Sequence, residues 1–147
     1  MKIIGIASVG GHWIQLLRVT LAFKEEELVF VSTKPEFSTT VPGKKFYHIP
    51  DGSSWNKLKL IKSLWNAFRI IEKERPDAIV TTGAAPGLMG LMAGKLMGIK
   101  TIWIDSIANV EKVSLSGRIA VMFADRVYTQ WPDLASSKIL YAGNVLG

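Results

Sequence analysis

The residues best suited to chemistry sit in three short segments, each of which follows an apolar run. The first is Ser8-Val9-Gly10-Gly11-His12. Its two glycines let backbone N–H groups approach a ligand with no Cβ in the way, and a helix starting at His12 aims its positive end at the same point. That combination suits a phosphate. His12 adds an imidazole that can donate to a phosphate or take a proton near neutral pH. A tight strand-to-helix turn and a helix cap account for the same residues with no ligand at all. The second segment, Thr82-Gly83-Ala84-Ala85-Pro86-Gly87, repeats the logic. Gly83 and Gly87 serve the turn, while Thr82 and the backbone N–H groups of Ala84 and Ala85 are free to meet a ligand. The third, Asp105-Ser106-Ile107-Ala108-Asn109, offers a carboxylate, a hydroxyl and an amide.

The elements that must position these segments read as alternating strands and helices, the pattern of an α/β fold with a Rossmann-like, mostly parallel sheet flanked by helices. Strands are expected at Lys2 to Ala7, Leu28 to Ser32, Lys45 to Ile49, Ala78 to Thr82, Thr101 to Ile104, Arg126 to Thr129 and Ile139 to Ala142. A first helix is expected from His12 to about Lys24, burying Trp13, Leu16, Leu17, Thr20 and Leu21 as one stripe. The second, from Trp55 to Lys73, places Leu58, Ile61, Leu64, Trp65, Phe68 and Ile71 on an apolar face, with Lys57, Lys62, Arg69 and Lys73 mainly away from it. Arg75-Pro76-Asp77 stops it. A third starts near Pro86, where a missing N–H costs nothing, and ends at Gly98. In open parallel sheets the loops at the carboxyl ends of the strands share one edge, so all three segments are expected to line one cleft.

Composition sets the outer bounds. A chain of 147 residues, 48% hydrophobic and 20% charged, fits one domain and not two. It has no cysteine, which removes disulfides, thiolate nucleophiles and sulfur metal sites and fits the cytoplasm. The opening apolar run is too short for a signal peptide, and Leu88 to Ile99 and Leu115 to Ala124 are too short to span a bilayer. The net charge of +6 calls for an anionic partner or a solvated basic surface. The helix around Leu88 to Met97 is apolar on nearly every side; it reads as buried, or alternatively as a surface dipping into the lipid interface with Lys95 reaching headgroups. A dinucleotide site lacks both G-x-G-x-x-G and an acidic end to the second strand, which runs into Thr33-Lys34. Asp51, Asp105, Glu111 and Asp125 have no metal-ligand spacing, so no metal or cofactor is expected. Nucleic acid is disfavoured, because no binding motif is present and the aromatics fall mainly in core-like positions.

Ala7 to His12 before a leucine-rich helix, Thr81-Thr82-Gly83 before a Pro-Gly helix, and the run from Ile104 to Leu134 together resemble the Alg-fourteen and PssD family of oligosaccharide and exopolysaccharide biosynthesis proteins. Within that run stand Val113-Ser114-Leu115-Ser116-Gly117-Arg118, Ala124-Asp125-Arg126-Val127-Tyr128 and Gln130-Trp131-Pro132-Asp133-Leu134. The chain is also similar, more loosely, to the N-terminal half of MurG-type transferases. The family pattern has Glu-Ser and then Arg-Val after the fifth strand, where this sequence has Asp105-Ser106 and Asn109-Val110.

The resemblance implies a single GT-B N-terminal half-domain over residues 1–147, a glycosyltransferase subunit inactive or nearly so alone. It would bind a lipid-diphosphate-linked sugar acceptor and recruit a separate chain that holds the UDP-sugar. Ser8, Gly10, Gly11, His12, Thr82, Gly83, Ser106 and Asn109 are then the expected acceptor and diphosphate contacts, and His12, followed by Asp105, the expected base. Eukaryotic members begin with a membrane-anchor helix; here the expectation is peripheral attachment to the cytoplasmic face of the cell membrane. Two alternatives stay open: a non-catalytic membrane scaffold for a transferase subunit, and a small enzyme acting alone on a phosphorylated metabolite.

Overall fold

In the computed structural model, which describes residues 1–50 and 56–146, seven parallel strands form one sheet. They are β1 (Lys2–Ala7), β2 (Glu27–Ser32), β3 (Lys45–His48), β4 (Ala78–Thr81), β5 (Lys100–Ile104), β6 (Arg126–Thr129) and β7 (Leu140–Tyr141), in the spatial order β3-β2-β1-β4-β5-β6-β7. The order reverses between β1 and β4. At that switch point the loops after the two strands diverge and open a crevice at the carboxyl edge.

The period of two along each strand divides the core. On β1, Ile4 and Ile6 face one layer while Ile3 and Ala7 face the other. The first layer is closed by α2 (Lys57–Glu74), α3 (Ala84–Leu96) and the short α4 (Leu115–Ala120), the second mainly by α1 (Gly11–Thr20). Trp13 of α1 anchors the second layer, stacking on Phe37 and meeting Phe30 and Phe46 edge-on. Its helix lies close to the sheet because Gly5 has no Cβ; one there would come 3.2 Å from Leu16.

The helices depart from expectation in instructive ways. α1 ends at Thr20 and continues as a single 3-10 turn, Leu21–Phe23, which leaves Leu21 exposed. The expected start of α2 at Trp55, like Asp51, lies outside the described residues; the helix is capped by Asn56, whose side chain accepts from the backbone N–H groups of Leu58 and Lys59. Its buried side is Ser63, Ala67, Ile70, Ile71 and Glu74. Leu58, Ile61 and Trp65, expected in the core, are 73%, 62% and 63% exposed. What the helix turns inward is Ala67, Ile70 and Ile71, in the layer that holds Ile4, Ile6, Val31 and Ile49, with Leu64 and Phe68 packed partly buried against it.

α3 begins at Ala84, two residues before Pro86. It is buried along most of its length, and its Gly87, Gly90 and Gly94 lie directly on Thr81, Ile6 and Ile79. Lys95 is engaged by Asp125 at 2.9 Å. This corrects the reading of the helix as a lipid-facing surface. Among the described residues no helix is long and apolar enough to cross a membrane.

At the opposite edge of the sheet, the buried Glu74 carboxylate receives Lys2 at 3.3 Å, Lys45 at 3.2 Å and the Tyr47 hydroxyl. Burial and Glu74 together push the Tyr47 phenol up to about 12.

Candidate functional site

The three segments do meet at the carboxyl edge. β1 delivers Ser8, β4 delivers Thr82 and β5 delivers Asp105, and the helix starts of α1 and α3 lie beside the crevice between them. A cleft of about 330 Å³ is lined by His12, Gly83, Ala84, Asp105, Ser106 and Asn109. An adjoining one of about 320 Å³ is lined by Gly11, His12, Gln15, Arg18, Ser106 and Leu146. Ser8 and Thr82 are buried behind the cleft, and Gly10 stands at the start of α1 with φ 74°. His12 belongs to both clefts, so the expected cluster centres on it.

Two reciprocal hydrogen bonds fix His12. Its Nδ1 lies 3.1 Å from the Thr82 carbonyl oxygen, and the Thr82 hydroxyl donates to the His12 carbonyl at 2.6 Å. The turn that makes this possible has φ 139° at Gly83 and φ 72° at Ala84, a conformation that side chains other than hydrogen resist.

Asp105 is 2% exposed and fully engaged. One carboxylate oxygen accepts from Trp103 Nε1 at 3.0 Å and the Ser114 hydroxyl at 2.6 Å. The other accepts from Asn109 Nδ2 and the Ser114 backbone N–H, both at 3.0 Å. Four donors on one carboxylate hold the segment from 106 to 114 in a single shape. Ser114 in turn caps α4, accepting from Gly117 N at 3.0 Å.

Two buried amides escaped sequence reasoning. Gln15 Nε2 donates to the Asp105 carbonyl at 3.2 Å while its oxygen accepts from Ile107 N at 3.0 Å. Gln130 Nε2 donates to that same carbonyl at 2.9 Å and its oxygen accepts from Val145 N, also at 2.9 Å. Trp131 Nε1 adds a bond to the Ile107 carbonyl at 2.7 Å. The one available signal was a polar residue within an apolar stripe, Gln15 beside Leu16, since a buried amide must find partners.

Next to the site, α1 leaves part of its sheet face uncovered. A groove of about 530 Å³ runs there, lined by Arg18, Val80, Ile102, Ile104, Tyr128 and Val145 among others.

A family model described as "Oligosaccharide biosynthesis protein Alg14 like" matches residues 45–145, more than half of the chain. The UDP-N-acetylglucosamine transferase subunit alg14 of Schizosaccharomyces pombe is 38% identical over 96 residues, which is 59% of this chain and 42% of that protein. The chain therefore spans less than half the length of this curated relative. Among solved structures, MurG of Acinetobacter baumannii superposes with a TM-score of 0.79 at 17% identity, covering 98% of this chain and 46% of MurG. A UDP-N-acetylglucosamine 2-epimerase from Rickettsia bellii superposes with a TM-score of 0.75 at 14% identity, over 99% of this chain and 45% of the epimerase. The fold is thus the Rossmann-like half of the GT-B architecture. Since a transferase and an epimerase share it, the fold alone assigns no reaction.

Proposed function

The chain belongs to the family of oligosaccharide biosynthesis proteins like Alg14, and from that premise we propose that it is the acceptor-binding subunit of a bipartite glycosyltransferase. The observation that carries this reading is the convergence of His12, Gly83 and Asp105 to Asn109 on one cleft at the switch point of the sheet. In the proposed reaction a hydroxyl of a lipid-diphosphate-linked sugar attacks the anomeric carbon of a UDP-sugar held by a partner chain. The bond from that carbon to UDP breaks, UDP leaves with the electron pair, and the hydroxyl proton passes to His12. Gly11 on one side of the cleft and Gly83 and Ala84 on the other bring helix N-termini and glycine backbone to the acceptor diphosphate, with Ser8 and Thr82 buried behind them and Gly10 shaping the turn into α1. Ser106 and Asn109 offer polar contacts from the third loop. Asp105, the second candidate base, has both oxygens occupied, a geometry that favours a part in holding that loop. Donor binding falls to the partner, and the open groove beside α1 supports a separate chain docking next to the site.

The outer face of α2 supports peripheral attachment to the cytoplasmic side of a membrane. Leu58, Ile61, Lys62, Trp65 and Arg69 recur at three- and four-residue spacing on one side of the helix and all are exposed. Apolar side chains interleaved with cations suit an anionic lipid surface. That face also favours a second reading, a scaffold that brings a transferase to the membrane without taking part in transfer. Co-expression with the donor-binding partner and a transfer assay separate the two: His12→Ala is expected to lower kcat by 100-fold or more. Undiminished transfer by His12→Ala leaves only the scaffold.

A further inference from the structure

We infer that Thr82 and Gly83 are positioning residues that fix His12 as its Nδ1–H tautomer and leave Nε2 as the proton-accepting atom. Only the catalytic meaning of Nε2 rests on the proposed function; the tautomer stands on geometry. The Thr82 carbonyl, 3.1 Å from Nδ1, has no hydrogen to give, so the hydrogen in that contact belongs to the ring. In the neutral imidazole the remaining lone pair is then on Nε2.

Thr82 holds more than the ring. Its hydroxyl grips the His12 carbonyl, so one fully buried residue after β4 fixes both the backbone and the side chain of a residue on α1. Gly83 supplies the room. A Cβ there would stand 2.6 Å from Nδ1 and 2.7 Å from Cε1 of His12, closer than atoms can approach, and would drive the ring off the carbonyl. The positive φ angles at Gly83 and Ala84 are the backbone shape that keeps the carbonyl and the gap in place.

The chain carries its own contrast. Its other histidine, His48, presents Nε2 to the Thr33 carbonyl at 3.1 Å. By the same reasoning its neutral ring is the Nε2–H tautomer. The two imidazoles of this protein therefore carry their protons on opposite nitrogens.

Long-range ¹H–¹⁵N spectra of the full chain labelled with ¹⁵N-histidine, recorded at alkaline pH, read this directly, with His12→Gln identifying the His12 signals. His12 is expected to show a protonated Nδ1 and a lone-pair Nε2, and His48 the reverse. In Gly83→Ala the His12 pattern is expected to invert or average. In Thr82→Val it is expected to shift toward a mixture, and Thr82→Ser to recover it; this pair keeps the test alive where Gly83→Ala fails to fold. In the assembled transferase, Thr82→Val should lower kcat by roughly 10- to 100-fold, the range typical of groups that orient a reactive ligand, and Thr82→Ser should recover most of the loss. A protonated Nε2 on His12 in the unmodified chain overturns the tautomer. A Thr82→Val spectrum identical to the parent overturns the role of the Thr82 hydroxyl, and one unchanged in Gly83→Ala as well overturns the positioning of His12 by this turn. Absence of transfer by the unmodified pair, with the expected spectra, overturns the transferase reading and leaves the tautomer standing.

Discussion

Replacing Asp105 with asparagine tests whether this carboxylate is a structural hub. The change keeps shape and volume but turns one acceptor oxygen into an NH2 donor. Placed where it faces Trp103 and the Ser114 hydroxyl, the new NH2 meets the Trp103 N–H, which can only donate, while the hydroxyl is free to rotate. Placed on the other side, it meets the Ser114 backbone N–H, and Asn109 can flip to present its oxygen. Either orientation leaves one buried donor opposed by another, which costs about 1–3 kcal/mol, and the remaining bonds lose their charge assistance. The total is about 2–3 kcal/mol, which for a domain of this size lowers Tm by about 5–10 °C. Urea unfolding should show the midpoint falling with the m-value unchanged. An Asp105→Asn chain within about 0.5 kcal/mol of the parent refutes the hub. If its transfer activity is lost at that undiminished stability, the carboxylate acts on the reaction itself.

Three further outcomes follow from other parts of the molecule. Replacing Leu58, Ile61 and Trp65 together with serine should abolish sedimentation with anionic phospholipid vesicles and leave stability nearly unchanged, because these side chains are exposed; retained vesicle binding rejects the α2 face. Burial pushes the Glu74 carboxyl up, but hydrogen bonds from Tyr47, Lys45 and Lys2 outweigh it and hold the group below its ordinary value of 4.5. Its contribution is therefore complete above that value and is lost as pH falls through the lowered folded value. Tm measured from pH 6 to pH 3 should fall less steeply for Glu74→Gln than for the parent. Gly117→Ala would place a Cβ 2.8 Å from an Asp105 oxygen and 2.9 Å from Trp103 Nε1, and should destabilise by about 1–3 kcal/mol in the same urea assay.

The central strands β1, β2 and β4 were legible because each is a short apolar run closed by turn residues, the mark of a strand buried on both faces of a parallel sheet. The three loops were legible for the same reason, since a polar or glycine-rich segment after such a run lies at the ligand-binding edge. The inner face of α2 was legible only in part: Ile71, Leu64 and Phe68 do face the core, and Leu58, Ile61 and Trp65 do not. Hydrophobicity points to Trp65 as strongly as to Ile71, but the helix buries Ile71 together with Ser63 and Ala67, which carry no apolar signal strong enough to outvote Trp65. The hub around Asp105 was hidden for a different reason. Gln15 lies 90 residues from its partner Asp105 and Gln130 lies 25 away, and no local pattern links them. His12 announced itself by type and place, but its tautomer depends on a carbonyl 70 residues distant.

Gln130 is a planar amide with both ends committed, one to the carbonyl of Asp105 and one to the N–H of Val145. Because the group is rigid, displacement of the backbone at 145 tilts the donor that meets the Asp105 carbonyl behind the site. The Val145 amide should thus exchange its hydrogen in step with the loop after β5, and its protection factor becomes a gauge of how firmly that loop is held.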